Sequence, residues 1–583
     1  MRKKINHIVS STLISCTLAA CGGVGSDGAG TDHQAMTHNA TVKSTVSAAV
    51  TSTAPITSGA LYTLVNPNSG KALDVTAAGI TNGTPVDIYT VNGAAAQQWQ
   101  INSNGDGTYT LTNPHSGKAL DVVSAGTANG TGIDIYPPNG TVAQKWQINS
   151  NSDGTVTLVN PNSSKALDVV SAGTANGTNV DIYTINATAA QKWQLIPVPL
   201  VSMLHTSGQN IVDPYGNIVQ LKGVNLGGLF VMEKWMAPLD SSGTLLDTYS
   251  VIQQLDARFG VATEQSLIKT YQQNWITTAD LDNIKNAGFN LIRVPVWWGQ
   301  FYAINNPTNS GWRSDAFTML DWVVNNAAAR GIYVIIDMHG VVGSQSSDQN
   351  TGWANQNAYW GNLSNQGNTS WMWWQIASHY NGNPAIAGYD LINEPDGAPK
   401  VQNDNGTGAV WSAYNGLYNS VRSADPNHII IMEGTFGTWS WSMLPPPAQF
   451  GWTNIVYEMH EYQQNSSAGQ VENGSSAQVT DFKNHASWNV PGYIGEFNDF
   501  SNNSAVWQFS INAYDTAGLS WSMWTYKSAW GLNPSNTWGW YDPTYWPTTP
   551  NILLDSAATI SSDWQQWTTG SAFALNTTLG ITP

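Results

Sequence analysis

Two carboxylates have the types and setting for bond-breaking chemistry. Glu394 in Leu391-Ile392-Asn393-Glu394-Pro395 and Glu496 in Tyr493-Ile494-Gly495-Glu496-Phe497 each close a short apolar run. A carboxylic acid that protonates a leaving oxygen, paired with a carboxylate that attacks the carbon behind it, is the minimum equipment for cleaving a glycosidic bond. The acid must hold its proton at working pH, and burial together with a nearby anion raises its pKa. The attacking group must stay ionised, which asks for a fixed cation and a hydrogen-bond donor beside it. A separation of roughly 5 Å between the two implies a covalent intermediate and retained configuration. A lone Glu at a strand end is more often a surface residue, so the surrounding elements have to supply the support.

Those elements read as alternating strands and helices. The apolar pattern predicts strands over Ile218–Asn225, Asn290–Val296, Tyr333–Gly340, Ile386–Ile392, His428–Glu433, Ile455–Tyr462, Tyr493–Glu496 and Leu519–Tyr526. Helices are predicted over 278–287, 314–330, 371–380 and 411–424, and residues 341–369 read as a long loop on the catalytic face. Eight strands with helix-length crossovers predict a (β/α)8 TIM barrel over 200–583, with its active site at the C-terminal strand ends.

With these positions in view, the barrel half resembles glycoside hydrolase family 5, the cellulase-type clan of retaining β-glycosidases. The resemblance rests on Arg293 in Ile292-Arg293-Val294-Pro295, His339 in Asp337-Met338-His339-Gly340, and Asn393-Glu394-Pro395. It continues through His460 and Tyr462 in Met459-His460-Glu461-Tyr462, Glu496, and Trp524 in Trp521-Ser522-Met523-Trp524. It implies Glu394 as acid/base and Glu496 as nucleophile, with Arg293, His339, Asn393, His460, Tyr462 and Trp524 binding substrate around them. Asn393 would bond the sugar 2-hydroxyl, and Trp524 would lie under the ring at the cleavage point. Gly223-Val224-Asn225-Leu226-Gly227-Gly228 and Glu233-Lys234-Trp235 resemble the opening of the fungal-type exo-β-1,3-glucanase branch, where the residue at Glu233 holds hydroxyls of the terminal glucose. The expected activity is a β-glucanase favouring β-1,3 linkages over β-1,4 or β-1,6, with endo and exo attack both open. A non-catalytic surface glycan-binding lipoprotein is the competing class.

Other acidic residues carry less. Glu433 ends its strand as the pair does and is a secondary candidate; Asp337 is expected behind the barrel wall, and alternation turns Glu461 away from the site. Glu458 reads as structural, and no His/Asp/Glu spacing argues for a metal or another cofactor.

The clearest periodicity lies upstream. Asp74, Asp121 and Asp168 recur at a 47-residue spacing, as do Trp99, Trp146 and Trp193 in three Gln-x-Trp motifs. Short strands and Asn-Gly turns between them predict a pseudo-threefold all-β module over 59–195. It resembles a ricin-type β-trefoil lectin, a family 13 carbohydrate-binding module. The likeness implies sugar contacts from Asp74 with Tyr89, Asp121 with Tyr136, and Asp168 with Tyr183. Ala96, Ala143 and Ala190 stand where that family often has Asn. The expected architecture is a multidomain chain, an all-β trefoil followed by the TIM barrel, with a short hinge at Pro197 and Pro199.

The 583-residue chain has a net charge of −17 and only 10% charged residues, against nucleic acid as a partner. Its 28 Trp and 22 Tyr suit stacking on sugar rings. Residues 1–21 carry Arg2, Lys3 and Lys4, a short apolar stretch, and Leu18-Ala19-Ala20-Cys21, which resembles a bacterial lipobox with Cys21 as the acylated residue. Residues 22–58 form a flexible Gly/Ser/Thr/Ala tether in which His33 and His38 are solvated. The expectation is an exported monomer, lipid-anchored on a bacterial membrane, with a β-glucan as its partner.

Overall fold

The computed structural model describes residues 56, 58–198, 201–396, 407–435, 440–464, 466–529 and 538–581. Cys21, the leader, nearly all of the 22–58 tether and Pro199 lie outside the described residues. Among the described residues no helix is long and apolar enough to cross a membrane.

Two separate hydrophobic cores divide the described chain. The first belongs to a twelve-stranded antiparallel sheet. Trp99, Trp146 and Trp193 are fully buried there, and their indole N–H groups donate to the Leu73, Leu120 and Leu167 carbonyls at 3.0, 3.1 and 3.2 Å. Three equivalent amides tie one lobe to another, Asn66 to the Ala189 carbonyl at 2.9 Å, Asn113 to Ala95 at 2.8 Å and Asn160 to Val142 at 2.8 Å. Strand Leu61–Asn66 pairs with the last strand, Gln194–Pro197, placing Tyr62 opposite Pro197. Pro197 is therefore part of the closing strand rather than a hinge: at an edge its missing N–H costs little.

The second core fills a closed barrel of eight parallel strands, β1 (Lys222–Asn225), β2 (Leu291–Trp297), β3 (Tyr333–Gly340), β4 (Ile386–Asp390), β5 (Ile429–Glu433), β6 (Ile455–Tyr462), β7 (Gly492–Asn498) and β8 (Ser520–Met523). β8 returns to pair with β1, Trp521 opposite Lys222. Helices α1 (Thr248–Phe259), α2 (Val261–Trp275) and α3 (Thr278–Asn286) separate β1 from β2. The short α4 (Trp298–Phe301) and α5 (Thr318–Ala328) follow β2, and α6 (Leu363–Tyr380), α7 (Thr407–Ala424), α8 (Ala468–Asn484) and α9 (Ser504–Ala517) follow the later strands. α6 starts eight residues before its predicted start at 371, so 363–369 are helix rather than loop. Asn362 caps it by accepting from the Ser364 and Asn365 N–H groups, a start signal that the Gly, Asn and Trp-rich surroundings hide. The register shifts between Met459 and His460 on β6, and between Ile494 and Phe497 on β7, and such irregularities re-aim side chains beside active sites.

Candidate active site

Arg293 on β2 is wholly buried at the centre of the site. Its Nη1 donates to Glu496 Oε1 at 2.7 Å and Asn225 Oδ1 at 3.2 Å, and lies 3.1 Å from Asp337 Oδ2. Nη2 donates to Asp390 Oδ2 at 2.7 Å and Asn393 Oδ1 at 2.9 Å, and Nε is 3.4 Å from Glu458 Oε1. The ring of carboxylates outweighs the desolvation of the guanidinium and keeps it charged.

Asp337 is not behind the wall. It stands two residues before His339 on β3, so both side chains leave the same face of the strand, and its Oδ2 is 2.6 Å from His339 Nδ1. Glu458 shares the inward face of β6 with His460 and Tyr462 by the same alternation, whereas Glu461 accepts from Gln463 and Gln478 away from the site. Burial pushes the carboxyls of Asp337, Glu433 and Glu458 well above the usual carboxylate range. With one guanidinium among so many acids, protons must neutralise part of the cluster.

Glu394 and Glu496 face each other across this floor. Ligand atoms of Glu394, His460 and Glu496 lie within 4.8 Å of one another. That spacing also suits a metal, but Arg293 already neutralises Glu496 at 2.7 Å and works against a second cation there. Tyr462 Oη donates to Glu496 Oε2 at 2.6 Å. Burial raises the Glu394 carboxyl to about 7. His460 Nδ1 is 2.9 Å from Glu394 Oε1, and Asn350 Nδ2 donates to Oε2 at 2.8 Å. Burial lowers His339 to about 4 and His460 to about 3, so both imidazoles are neutral at neutral pH. The Trp524 ring lies parallel to His339, centroids 5.3 Å apart. Asn393 Nδ2 is buried and has no acceptor among the described residues, while its Oδ1 is held by Arg293.

The backbone of Glu394 is unusual. Its φ of +41° is left-handed, in a non-glycine residue that precedes a proline. Such a conformation costs about 1–3 kcal/mol and persists only where its surroundings over-determine it. Here the Asn393 N–H donates to the Met338 carbonyl at 3.0 Å, Gln345 Nε2 donates to the Asn393 carbonyl at 2.7 Å, and the Glu394 N–H donates to Glu433 Oε2 at 2.6 Å.

Glu233 accepts from Trp235 Nε1 at 2.8 Å, and burial, with Glu496 and Glu394 near enough to add to it, raises its carboxyl to about 8. A row of rings runs from Trp235 through Trp538, 4.5 Å away, to Phe500 and Tyr462. Asp390, Asn350 and Trp538 join the site without having been singled out from sequence, Asn225 had entered only within the 223–228 motif, and Gln345 joins them. Asn225 closes its predicted strand and Asp390 is the one charge inside the predicted run 386–392, signals that were available; nothing local marks Asn350 in its loop.

In the trefoil, Asp74, Asp121 and Asp168 are buried, while Tyr89, Tyr136 and Tyr183 are 42–44% exposed. Each Asp faces a second one across its strand pair, Asp74 with Asp87, Asp121 with Asp134 and Asp168 with Asp181. Asp87, Asp134 and Asp181 lie two residues before the tyrosines, on the same face of the strand. Burial raises Asp74, Asp134 and Asp181 to about 6.

The Cellulase (glycosyl hydrolase family 5) family matches residues 255–529, and the ricin-type β-trefoil lectin domain-like family matches 51–136 and 142–216. A protein named β-xylosidase from Phanerodontia chrysosporium is 26% identical over 56% of this chain and 71% of its own length. A glucan 1,3-β-glucosidase from Candida oleophila is 27% identical over 49% of this chain and 69% of its own. A probable glucan 1,3-β-glucosidase A from Aspergillus niger is 29% identical over 42% and 55%. Among solved structures, rutinosidase from Aspergillus niger is 18% identical over 59% of this chain and 98% of that one, at a TM-score of 0.45. ThreeFoil, a designed 3-fold symmetric protein, is 41% identical over 24% of this chain and 99% of that one, at a TM-score of 0.24. The chain is a glycosidase whose barrel belongs to glycosyl hydrolase family 5, with a ricin-type β-trefoil lectin domain ahead of it.

Proposed function

We propose that the protein is a retaining β-glucan hydrolase with a preference for β-1,3 linkages, in which Glu394 is the acid/base and Glu496 the nucleophile. The observation that carries this is the carboxylate pair within 4.8 Å, one member raised to about 7 and the other clamped by Arg293 and Tyr462. In the first step Glu496 attacks the anomeric carbon while Glu394 gives its proton to the glycosidic oxygen; the C1–O bond breaks and a glycosyl ester forms on Glu496. In the second, Glu394 takes a proton from water as that water attacks C1, freeing Glu496 with configuration retained. Asn393 Nδ2 is free to donate to the 2-hydroxyl, a contact that strengthens in the transition state.

The β-1,3 preference draws on the relatives named glucan 1,3-β-glucosidase, and the one named β-xylosidase makes an aryl β-xyloside the comparison substrate. Release of reducing ends from laminarin ahead of lichenan, carboxymethyl cellulose and pustulan is the expected result. Preference for cellulose or pustulan would move the assignment to β-1,4 or β-1,6. Glu496→Ala should abolish turnover, with azide restoring release from an activated aryl glycoside; undiminished hydrolysis in that variant ends the assignment. A surface protein that only captures glycan would have no use for a clamped nucleophile, which disfavours that reading.

The trefoil would hold the polymer near the barrel through weak sites at Asp74/Tyr89, Asp121/Tyr136 and Asp168/Tyr183. The leader and Cys21 support an exported lipoprotein at the cell surface or in the periplasm; Cys21→Ala should release it from membranes, and a wholly soluble wild type would refute the anchor.

A further inference from the structure

Glu433 closes β5 and is wholly buried. Two contacts of its own pin it: its N–H donates to Tyr414 Oη at 3.1 Å, and that hydroxyl donates to its carbonyl at 2.9 Å. Its carboxyl then reaches Glu394 by two routes. Oε2 accepts the Glu394 N–H at 2.6 Å, at the residue whose φ is +41°. Oε1 is 3.4 Å from His460 Nε2, and the Nδ1 of the same imidazole is 2.9 Å from Glu394 Oε1.

We propose that Glu433 is the positioning residue of the acid/base, holding the left-handed backbone of Glu394 and setting which nitrogen of His460 faces it. This rests on the reading of Glu394 as acid. Glu433 Oε1 and Glu458 Oε1 both stand 3.4 Å from His460 Nε2, and burial raises both carboxyls; a protonated Glu433 turns an O–H toward Nε2, so the imidazole proton sits on Nδ1 and is donated to Glu394 Oε1. A partner on one ring nitrogen commonly decides the tautomer presented by the other. The burial that raises Glu433 keeps that proton in place.

A positioning role predicts a defect that grows with the need for acid. kcat/KM, which reports formation of the glycosyl-enzyme, should be measured on phenyl and on 2,4-dinitrophenyl β-glucoside. In Glu433→Leu the phenyl substrate should lose about 100-fold, within the range of general acid catalysis, and the dinitrophenyl substrate less than about fivefold. Glu433→Gln, whose amide oxygen still accepts the Glu394 N–H, should recover most of the phenyl rate. Equal losses on both substrates, or a Gln variant as damaged as Leu, overturn the proposal. Glu394→Ala is run beside them. If it lacks the leaving-group dependence, the acid assignment fails; if it shows the dependence and Glu433→Leu does not, only the role of Glu433 fails. Should Glu433→Leu not fold, Tyr414→Phe, which removes both pinning contacts, must show the same leaving-group bias in smaller degree, and its absence is equally decisive.

Discussion

Tyr462 donates a 2.6 Å hydrogen bond to the Oε2 of Glu496, the oxygen that Arg293 leaves open when it takes Oε1 at 2.7 Å. The carboxylate is thereby fixed in plane, with one oxygen bonded to a cation and the other to a neutral phenol whose own ionisation burial has pushed far up. Tyr462→Phe deletes a bond to a charged acceptor, about 1.5–3 kcal/mol. kcat/KM should fall about 10–100-fold and the melting temperature of the barrel by about a few degrees, as steady-state kinetics and calorimetry on one preparation would show.

Arg293→Met leaves the carboxyls of Glu496, Asp337, Asp390 and Glu458 without their shared cation. Breaking a buried pair in this way costs about 3–5 kcal/mol. Asp337 and Glu458, already raised by burial and now without the guanidinium that opposes it, would hold their protons more tightly in the folded state than in the unfolded one, so the variant should be least stable at high pH. Urea unfolding at pH 5 and pH 8 should show the larger deficit at pH 8.

The pH profile follows from Glu394. In its proposed role as the acid it must be protonated, so kcat/KM on a poor leaving group should fall as pH rises through about 7. Stability has the same sign. The folded pKa lies above the ordinary 4.5, so the contribution is fully present below 4.5 and is lost as pH climbs through 7. Glu394→Gln should remove that dependence and stabilise the protein at pH 8 by on the order of 2 kcal/mol in chemical denaturation.

The trefoil carries a parallel expectation. Asp134 and Asp181 are raised from 3.8 to about 6 by burial, with the facing Asp adding to it, so their contribution is present below 3.8 and lost through pH 6. Asp134→Asn with Asp181→Asn in the full chain should raise the trefoil melting temperature at pH 7.5 and leave it unchanged at pH 3.5.

The half-exposed rings of Tyr89, Tyr136 and Tyr183 give the test of targeting. Replacing all three by Ala should leave turnover of soluble oligosaccharides alone and lower hydrolysis of insoluble glucan severalfold. The measured quantity is the ratio of the two rates, and an unchanged ratio argues against a role in polymer capture.

The sequence made the barrel readable because parallel strands buried on both faces are short apolar runs, with Glu394 and Glu496 closing two of them; Arg293, inside its strand, and His339 and His460, near the ends of theirs, were picked out by the family resemblance. Asn350 was not, since its position depends on a loop fold that no period encodes. Asp337 was misplaced through neglect of alternation, although its two-residue offset from His339 contained the answer. Helix α6 was cut short because Gly367 and several Asn residues mask a start that one side-chain cap at Asn362 secures. The trefoil was legible from three Trp in register, whereas the partner aspartates emerge only when strand register places Asp87 against Asp74.

The pairing of the trefoil's first and last strands has a mechanical consequence. The chain enters through residues 58–61, bonded to Ile101 and Ser103, and leaves at Val198, whose N–H donates to the Leu61 carbonyl at 2.9 Å. A pull between whatever holds the N-terminal segment and a barrel gripping a polymer is applied to two neighbouring ends of one antiparallel pair. It opens the rungs one after another, Tyr62 from Pro197 and then Thr63 from Ile196, instead of shearing them all at once. The module is thus built to yield at low force by unzipping from its seam. A single-molecule pulling trace should show the trefoil giving way well before the barrel.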